Sequence, residues 1–242
     1  MPKLTAKQYF LQNAIMLYDS REQKNQGVLQ AFKDVGIKYE RRAGTGLAFN
    51  YGDYTLLIDG KDYRGELIFE RKGSLNEIYT NVNDKNKTKN HSNSDFRNNL
   101  EREFQRMNVH KVREKWLLIE GADTLEEIKE FKLYITKEKP IEPIEPTKEN
   151  SYISSITYDE RLKEFRNQFK KYNYFTNMAK IAGKTIYATL MSWQCSNRHN
   201  FKIYCSKSQY NIGVEMVSIA YYYWRNEMKN KGLIKGNYYI GE

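Results

Sequence analysis

Cysteine, histidine and proline are scarce in this 242-residue chain, with two, three and four copies. Cys195 and Cys205 stand apart with no Cys-x-x-Cys pattern, and His91, His110 and His199 are scattered, so no zinc-ligand spacing is present. Reduced thiols in a cytoplasmic protein are the expectation. No uninterrupted apolar run approaches the length of a membrane span. The opening "MPKLTAKQYFLQNAIMLYDS" holds only a short apolar patch that reads as a strand, so no secretory signal is expected. A soluble cytoplasmic protein of bacterial or phage type fits these absences.

What is plentiful is tyrosine and positive charge. Aromatics make up 14% of the residues, with 20 tyrosines, which argues against wholesale disorder despite a mean hydropathy of −0.82. The net charge of +10 favours a polyanionic partner, nucleic acid first and a membrane surface second. Lys, Asn, Tyr and Ile share AT-rich codons, so part of the lysine excess reflects genome composition rather than a ligand.

Apolar periodicity orders the chain as α/β. "NAIMLY" (13–18) reads as a strand ending at Asp19. Val28, Leu29 and Phe32 recur at helical spacing up to a stop at Gly36, and "IKYERR" alternates like a strand. "DYTLLIDGKDYRGELIFERK" reads as two strands around a turn, and "SLNEIYTN" as a short helix capped by Ser74. The stretch 81–95 is almost purely polar and reads as a loop. A helix from Asp95 to Met107, the buried strand "KWLLIEG" and an extended proline-rich segment at 137–156 follow. Thr157 and Glu160 form a capping-box pattern before Leu162, Phe165, Phe169 and Tyr172, which share one helix face. A helix at 184–194, the strand "FKIYC", a long helix at 207–229 and a tail at 230–242 close the chain.

The charges ending "GELIFERKGSLNEI" (65–78) sit at the end of a buried-strand pattern. With 59–64 as the turn, Ile58 faces Gly65, Tyr54 faces Phe69 and Asp53 faces Glu70. Alternation then places Glu70 and Lys72 on one face and Phe69 and Arg71 on the other. Two close carboxylates repel, and a divalent cation removes the conflict; oxygen ligands suit Mg²⁺ or Mn²⁺. A lysine beside such an ion can orient water and stabilise charge on a phosphate. A lone Glu-x-Lys is also a common solvated ion pair, and Asp53 in register is what lifts this one.

"YDSRE" (18–22), "GDY" (52–54) and "ERK" (70–72), in that order, resemble the nuclease domain of XPF-type structure-specific endonucleases, within the PD-(D/E)xK superfamily. "FRNNLEREFQRM", "KWLLIEG" and the segment "TIYATLMSWQCSNRHNFKIYCSKSQYNIGVEMVSIAYYYWRN" extend the resemblance, which runs from about Asn13 to Asn226. It implies a restriction-endonuclease-like mixed central sheet flanked by helices, a nuclease domain over 10–229, and Mg²⁺- or Mn²⁺-dependent DNA cleavage leaving a 5′-phosphate and a 3′-hydroxyl. By motif, Asp19, Asp53, Glu70 and Glu22 would bind metal, and Lys72 would be the catalytic lysine. Arg21 and Arg71 would organise the site or hold a phosphate, with Arg97 and Glu101 as candidates for the same cleft. The family's closing Asp is Asn76 here, with Glu77 beside it, which hints at altered metal dependence.

The family prefers branched DNA in repair, recombination or mobile-element and phage DNA processing, yet no helix-hairpin-helix pattern is recognisable here. Branch recognition would need the polar loop, the segment around 137–172 or a partner protein. Tyr221–Trp224 fits either base stacking or core packing, with homodimer contacts through the last helix as the family precedent. The Asn/Lys loop fits either a phosphate-tracking or a purely solvated role. A DNA-binding adaptor or inhibitor that no longer cleaves is the alternative to an enzyme.

Overall fold

The computed structural model describes residues 4–43, 49–83, 99–134, 138–145, 155–195 and 199–241. One sheet is built from β1 (Ala14–Asp19), β2 (Lys38–Arg42), β3 (Tyr54–Ile58), β4 (Lys61–Asp62), β5 (Leu67–Lys72), β6 (Glu114–Glu120) and β7 (Lys202–Ser206). Its order is β2-β1-β3-β5-β6-β7, with the short β4 paired to β3. β3 runs antiparallel to β1 and β5, whereas β1–β2, β5–β6 and β6–β7 are parallel. The helices are α1 (Ala6–Asn13), α2 (Gln26–Val35), α3 (Leu75–Asn83), α4 (Asn99–Val109), α5 (Leu125–Lys129), α6 (Ser155–Lys180), α7 (Ala182–Cys195) and α8 (Gln209–Asn230). A mixed sheet flanked by helices, the expected class, is present.

Strand alternation divides the core in two. Met16, Tyr54, Leu56, Phe69 and Leu118 point to one face and pack under α1, α2 and α8 through Phe10, Phe32 and Trp224. Leu17, Ile68, Leu117 and Ile119 point to the other face, covered by Ile78 of α3, Leu100 and Phe104 of α4 and Leu190 of α7. Both faces are sealed by apolar side chains, which is why the central strands read as near-continuous hydrophobic runs.

The hairpin before the charged strand end departs from expectation in one respect. Asp59 and Gly60, at φ 49° and 75°, make a two-residue turn, so Ile58 pairs with Lys61 rather than Gly65. The chain then detours through Tyr63–Glu66 before Tyr54 meets Phe69, the expected pair. The detour shifts the register by four residues between these two pairings. An even shift preserves the alternation, so Glu70 and Lys72 keep the expected face.

Several local expectations change. The N-terminal stretch forms α1 before β1, with Thr5 and Gln8 completing a capping box. Gly36 stops α2 in the left-handed region, as read. Ser74 caps the turn into α3, its hydroxyl accepting the Glu77 N–H. Asn81–Asn83 belong to α3 instead of the polar loop, and the rest of that loop lies outside the described residues. Helix α6 is already helical at Ser155, so Thr157 lies in its first turns and is not its cap.

The expected tail is also ordered: β8 (Ile234–Lys235) and β9 (Tyr238–Tyr239) form a hairpin. Its Asn237 carbonyl accepts the Ala6 N–H at 2.7 Å, and Tyr239 packs on Tyr9 with ring centres 3.8 Å apart. In the aromatic run, Trp224 is fully buried while Tyr222 is 57% exposed. Core packing therefore accounts for Trp224.

Candidate active site

Asp53 ties three strand ends together. Its N–H donates to the Phe69 carbonyl at 2.7 Å, and its carbonyl accepts the Asp19 N–H at 2.9 Å. Gly52, at φ 66°, makes this approach possible, because a Cβ there would run into the Ile68 side chain. The Asp53 carboxylate Oδ2 accepts the Arg71 N–H at 2.7 Å. Asp53, Glu70 and Lys72 open into a cleft of about 250 Å³, walled by Glu77 and Asn81 of α3 and by Asn99 and Glu103 of α4. Arg21 and Glu22 lie at the same cleft.

Acid crowding sets the electrostatics. Burial, then the negative charges of Glu70 and Glu22, push the Asp53 carboxyl well above the usual carboxylate range. Glu103 is raised by burial and by Glu70, with partial relief from Arg106, Lys72 and Arg21. Burial disfavours charge on Lys72, yet Glu70, at 2.6 Å, and Asp53 hold its ammonium above the usual lysine range. Glu77 adds a second carboxylate 3.5 Å from the same ammonium. Lys72 thus sits as a cation at the cleft floor.

Arg71 also lines the cleft, but its guanidinium is held by other partners. Its guanidinium donates to Glu120 at 2.6 Å, to Glu22 at 2.7 Å and to the Lys24 carbonyl at 3.1 Å. The Tyr54 hydroxyl donates to the same Glu22 oxygen at 3.0 Å. This buried network braces the loop after β1 against β5 and leaves Arg71 an organising role. Asp19 is equally committed. Its Oδ1 accepts the Arg21 N–H and Nε, and its Oδ2 accepts Arg21 Nη2 and the Phe49 N–H. Burial would raise this carboxyl, but these donors hold it below its ordinary range.

The residues expected at the site divide accordingly. Asp53, Glu70 and Lys72 converge, and Arg21 and Glu22 border the same cleft. Arg97 lies outside the described residues. Glu101 is not brought to the cleft: it is buried on the other flank of α4, with Oε1 3.5 Å from His199 Nε2. Glu103 and Asn99 take the cleft side of that helix, and neither was singled out from sequence. At roughly 100° per residue, Glu101 and Glu103 flank the Leu100–Phe104–Met107 stripe on opposite sides, a signal available beforehand without its direction. Asn76 is exposed, and its neighbour Glu77 reaches Lys72 instead.

Among the described residues no three His, Cys, Asp or Glu side chains are grouped as a ready-made metal cage. Asp19 and Glu22, expected as ligands, have carboxylates committed to Arg21 and Arg71. The Asp53–Glu70 pair still fits a hard cation. Mg²⁺ is commonly held by one or two carboxylates together with water and substrate phosphate. Among the described residues, Asp53 Oδ1 and Glu70 Oε2 carry no hydrogen bond, and a cation would relieve the mutual repulsion of these acids.

No protein-family model and no curated protein matches this chain. Among solved structures, XPF from Aeropyrum pernix is similar, with a TM-score of 0.47 and 12% identity over 90% of this chain and 69% of that one. A likeness this distant carries nothing about what the cleft does. Among the described residues no helix is long and apolar enough to cross a membrane.

Proposed function

We propose that this chain is a Mg²⁺- or Mn²⁺-dependent DNA endonuclease that hydrolyses phosphodiester bonds in branched DNA, in repair, recombination or the processing of phage and mobile-element DNA. The observation that carries the reading is the meeting of Asp53, Glu70 and Lys72 at one end of β3 and β5, in an open polar cleft. Asp53 and Glu70 would hold the cation, which when bound supplies Lewis-acid polarisation and an acidified water. Lys72, kept charged by Glu70 and Glu77, would hydrogen-bond a non-bridging phosphate oxygen or orient the attacking water. Water attacks phosphorus, the bond to the 3′-oxygen breaks, and that oxygen takes up a proton, leaving a 5′-phosphate and a 3′-hydroxyl. Arg21, whose side chain is 68% exposed at the rim, would neutralise a flanking phosphate while Asp19 holds it in place.

Labelled flap, fork, junction and linear duplex DNA, incubated with Mg²⁺ or Mn²⁺, test this directly. Cutting that disappears in Asp53→Ala and in Lys72→Ala is expected, at about 10²-fold or more. Binding without cutting of any substrate would replace the enzyme by the non-cleaving adaptor. Cutting that survives both substitutions unchanged would move the chemistry elsewhere.

A further inference from the structure

Helix α6 carries a cationic stripe that the cleft does not use. Lys163, Arg166 and Lys170 are all exposed and fall on one side at roughly 100° per residue, with Asn167 and the 61%-exposed Tyr174 in the same sector. Asp159 and Glu160, one turn before Lys163, border the stripe at its N-terminal end, whereas Glu164 falls on a different flank. Among the described residues none of the three cations makes an ion pair or a hydrogen bond. The apolar side of α6 lies on a different face. Leu162, Phe165, Phe169 and Tyr172 are half-buried, Phe165 stacks on Phe169, and Lys139 of the proline-rich segment sits 5.8 Å from the Phe169 ring centre.

The position of α6 suits a substrate contact. Its C-terminal end joins α7, which packs on α3, the helix that gives Glu77 and Asn81 to the cleft. From that anchor α6 runs 26 residues, about 39 Å at 1.5 Å per residue. The three cations span about 10 Å of helix, close to three phosphate steps of one DNA strand at about 3.4 Å each.

We propose that the Lys163–Arg166–Lys170 face of α6 binds the sugar-phosphate backbone of duplex DNA flanking the cleft. This rests on the nuclease reading for the identity of the ligand, and its test does not depend on cleavage. The three side chains are exposed cations spaced along one helix face to meet phosphates, so the contact is expected to be sequence-independent and strongly salt-dependent.

The test measures affinity for fluorescent forked and linear duplex DNA by anisotropy, in EDTA, from 50 to 300 mM salt. Lys163→Glu/Arg166→Glu/Lys170→Glu is compared with Lys7→Glu/Lys33→Glu/Lys229→Glu, which makes the same charge change on exposed positions of α1, α2 and α8. Circular dichroism verifies folding of both. The α6 variant is expected to bind at least tenfold more weakly at low salt, with a log–log salt slope smaller by about 2–3, while the control stays near wild type. Equal weakening in both variants, or an unchanged slope in the α6 variant, overturns the proposal. A wild type that binds but never cuts sinks the nuclease reading and leaves this one standing. A variant that cuts and binds like wild type does the reverse.

Discussion

Arg71 and Lys72 adjoin in sequence and serve opposite faces of the sheet. Arg71 is locked between Glu22 and Glu120, at 2.7 and 2.6 Å, while Lys72 meets Glu70 at 2.6 Å on the cleft side. One strand end thus supplies both a brace and a cation on the cleft floor.

The two cations should therefore fail differently when neutralised. Arg71→Met leaves two carboxylates without their counter-charge under cover, a loss on the order of 3–5 kcal/mol. Lys72→Met strips one buried carboxylate, Glu70, of its counter-charge rather than two, and should cost less stability while removing cleavage. Thermal unfolding of the two variants checks this, and equal falls in Tm would show that the division of labour is wrong.

Gly52→Ala is expected to destabilise by about 1–3 kcal/mol, through positive φ and the collision with Ile68. Because Gly52 precedes Asp53, cleavage should fall further than stability accounts for. Urea unfolding and cleavage rate, measured on the same preparation, separate the two effects. A variant of wild-type stability and rate would remove Gly52 from the argument for the site.

Glu227 gives the fold an acid-sensitive clasp. Burial alone would raise its carboxyl, but Lys231, Lys61 and Tyr63 draw it down to about 2 from 4.5. A depressed acid stabilises the fold fully above its unfolded pKa and loses that contribution as pH falls through the folded value. The window is therefore from about pH 4.5 down to about pH 2, worth roughly 1–2 kcal/mol after solvent screening. Glu227→Gln should be less stable than wild type at pH 6, with the gap closing toward pH 2. A gap that stays constant across that range contradicts the assignment.

The two cysteines should be distinguishable by reactivity. Cys195 is exposed, whereas burial, with nearby acids, pushes the Cys205 thiol up to about 12. A maleimide at pH 7 should modify Cys195 quickly and Cys205 only after unfolding. Two fast-reacting thiols in the native protein, counted by mass, would refute the partial shielding of Cys205.

Much of the site was legible because alternation is a backbone property. Period two alone separates Glu70 and Lys72 from Phe69 and Arg71, and the even register shift at Tyr63–Glu66 could not undo it. Helix α2 was legible for the same reason, its apolar spacing and its glycine stop both being local signals. Asp19 shows where that reading ended. Its acceptors are filled by Arg21, two residues on, and by the Phe49 N–H, thirty residues away, and no motif spacing encodes the second.

By itself the sequence determined which residues share a strand face or a helix flank, because the 2.0 and 3.6 residue periods are set by backbone geometry. It determined the charged strand end opposite Asp53, and the opposite flanks of Glu101 and Glu103. Only the tertiary structure decided that Glu103 turns to the cleft, that Glu101 turns toward His199, and that the last residues close over α1 through Tyr9 and Tyr239. Those choices depend on how α4 and the C-terminal hairpin dock. Docking is settled by apolar packing between segments distant in the chain, which no local period records.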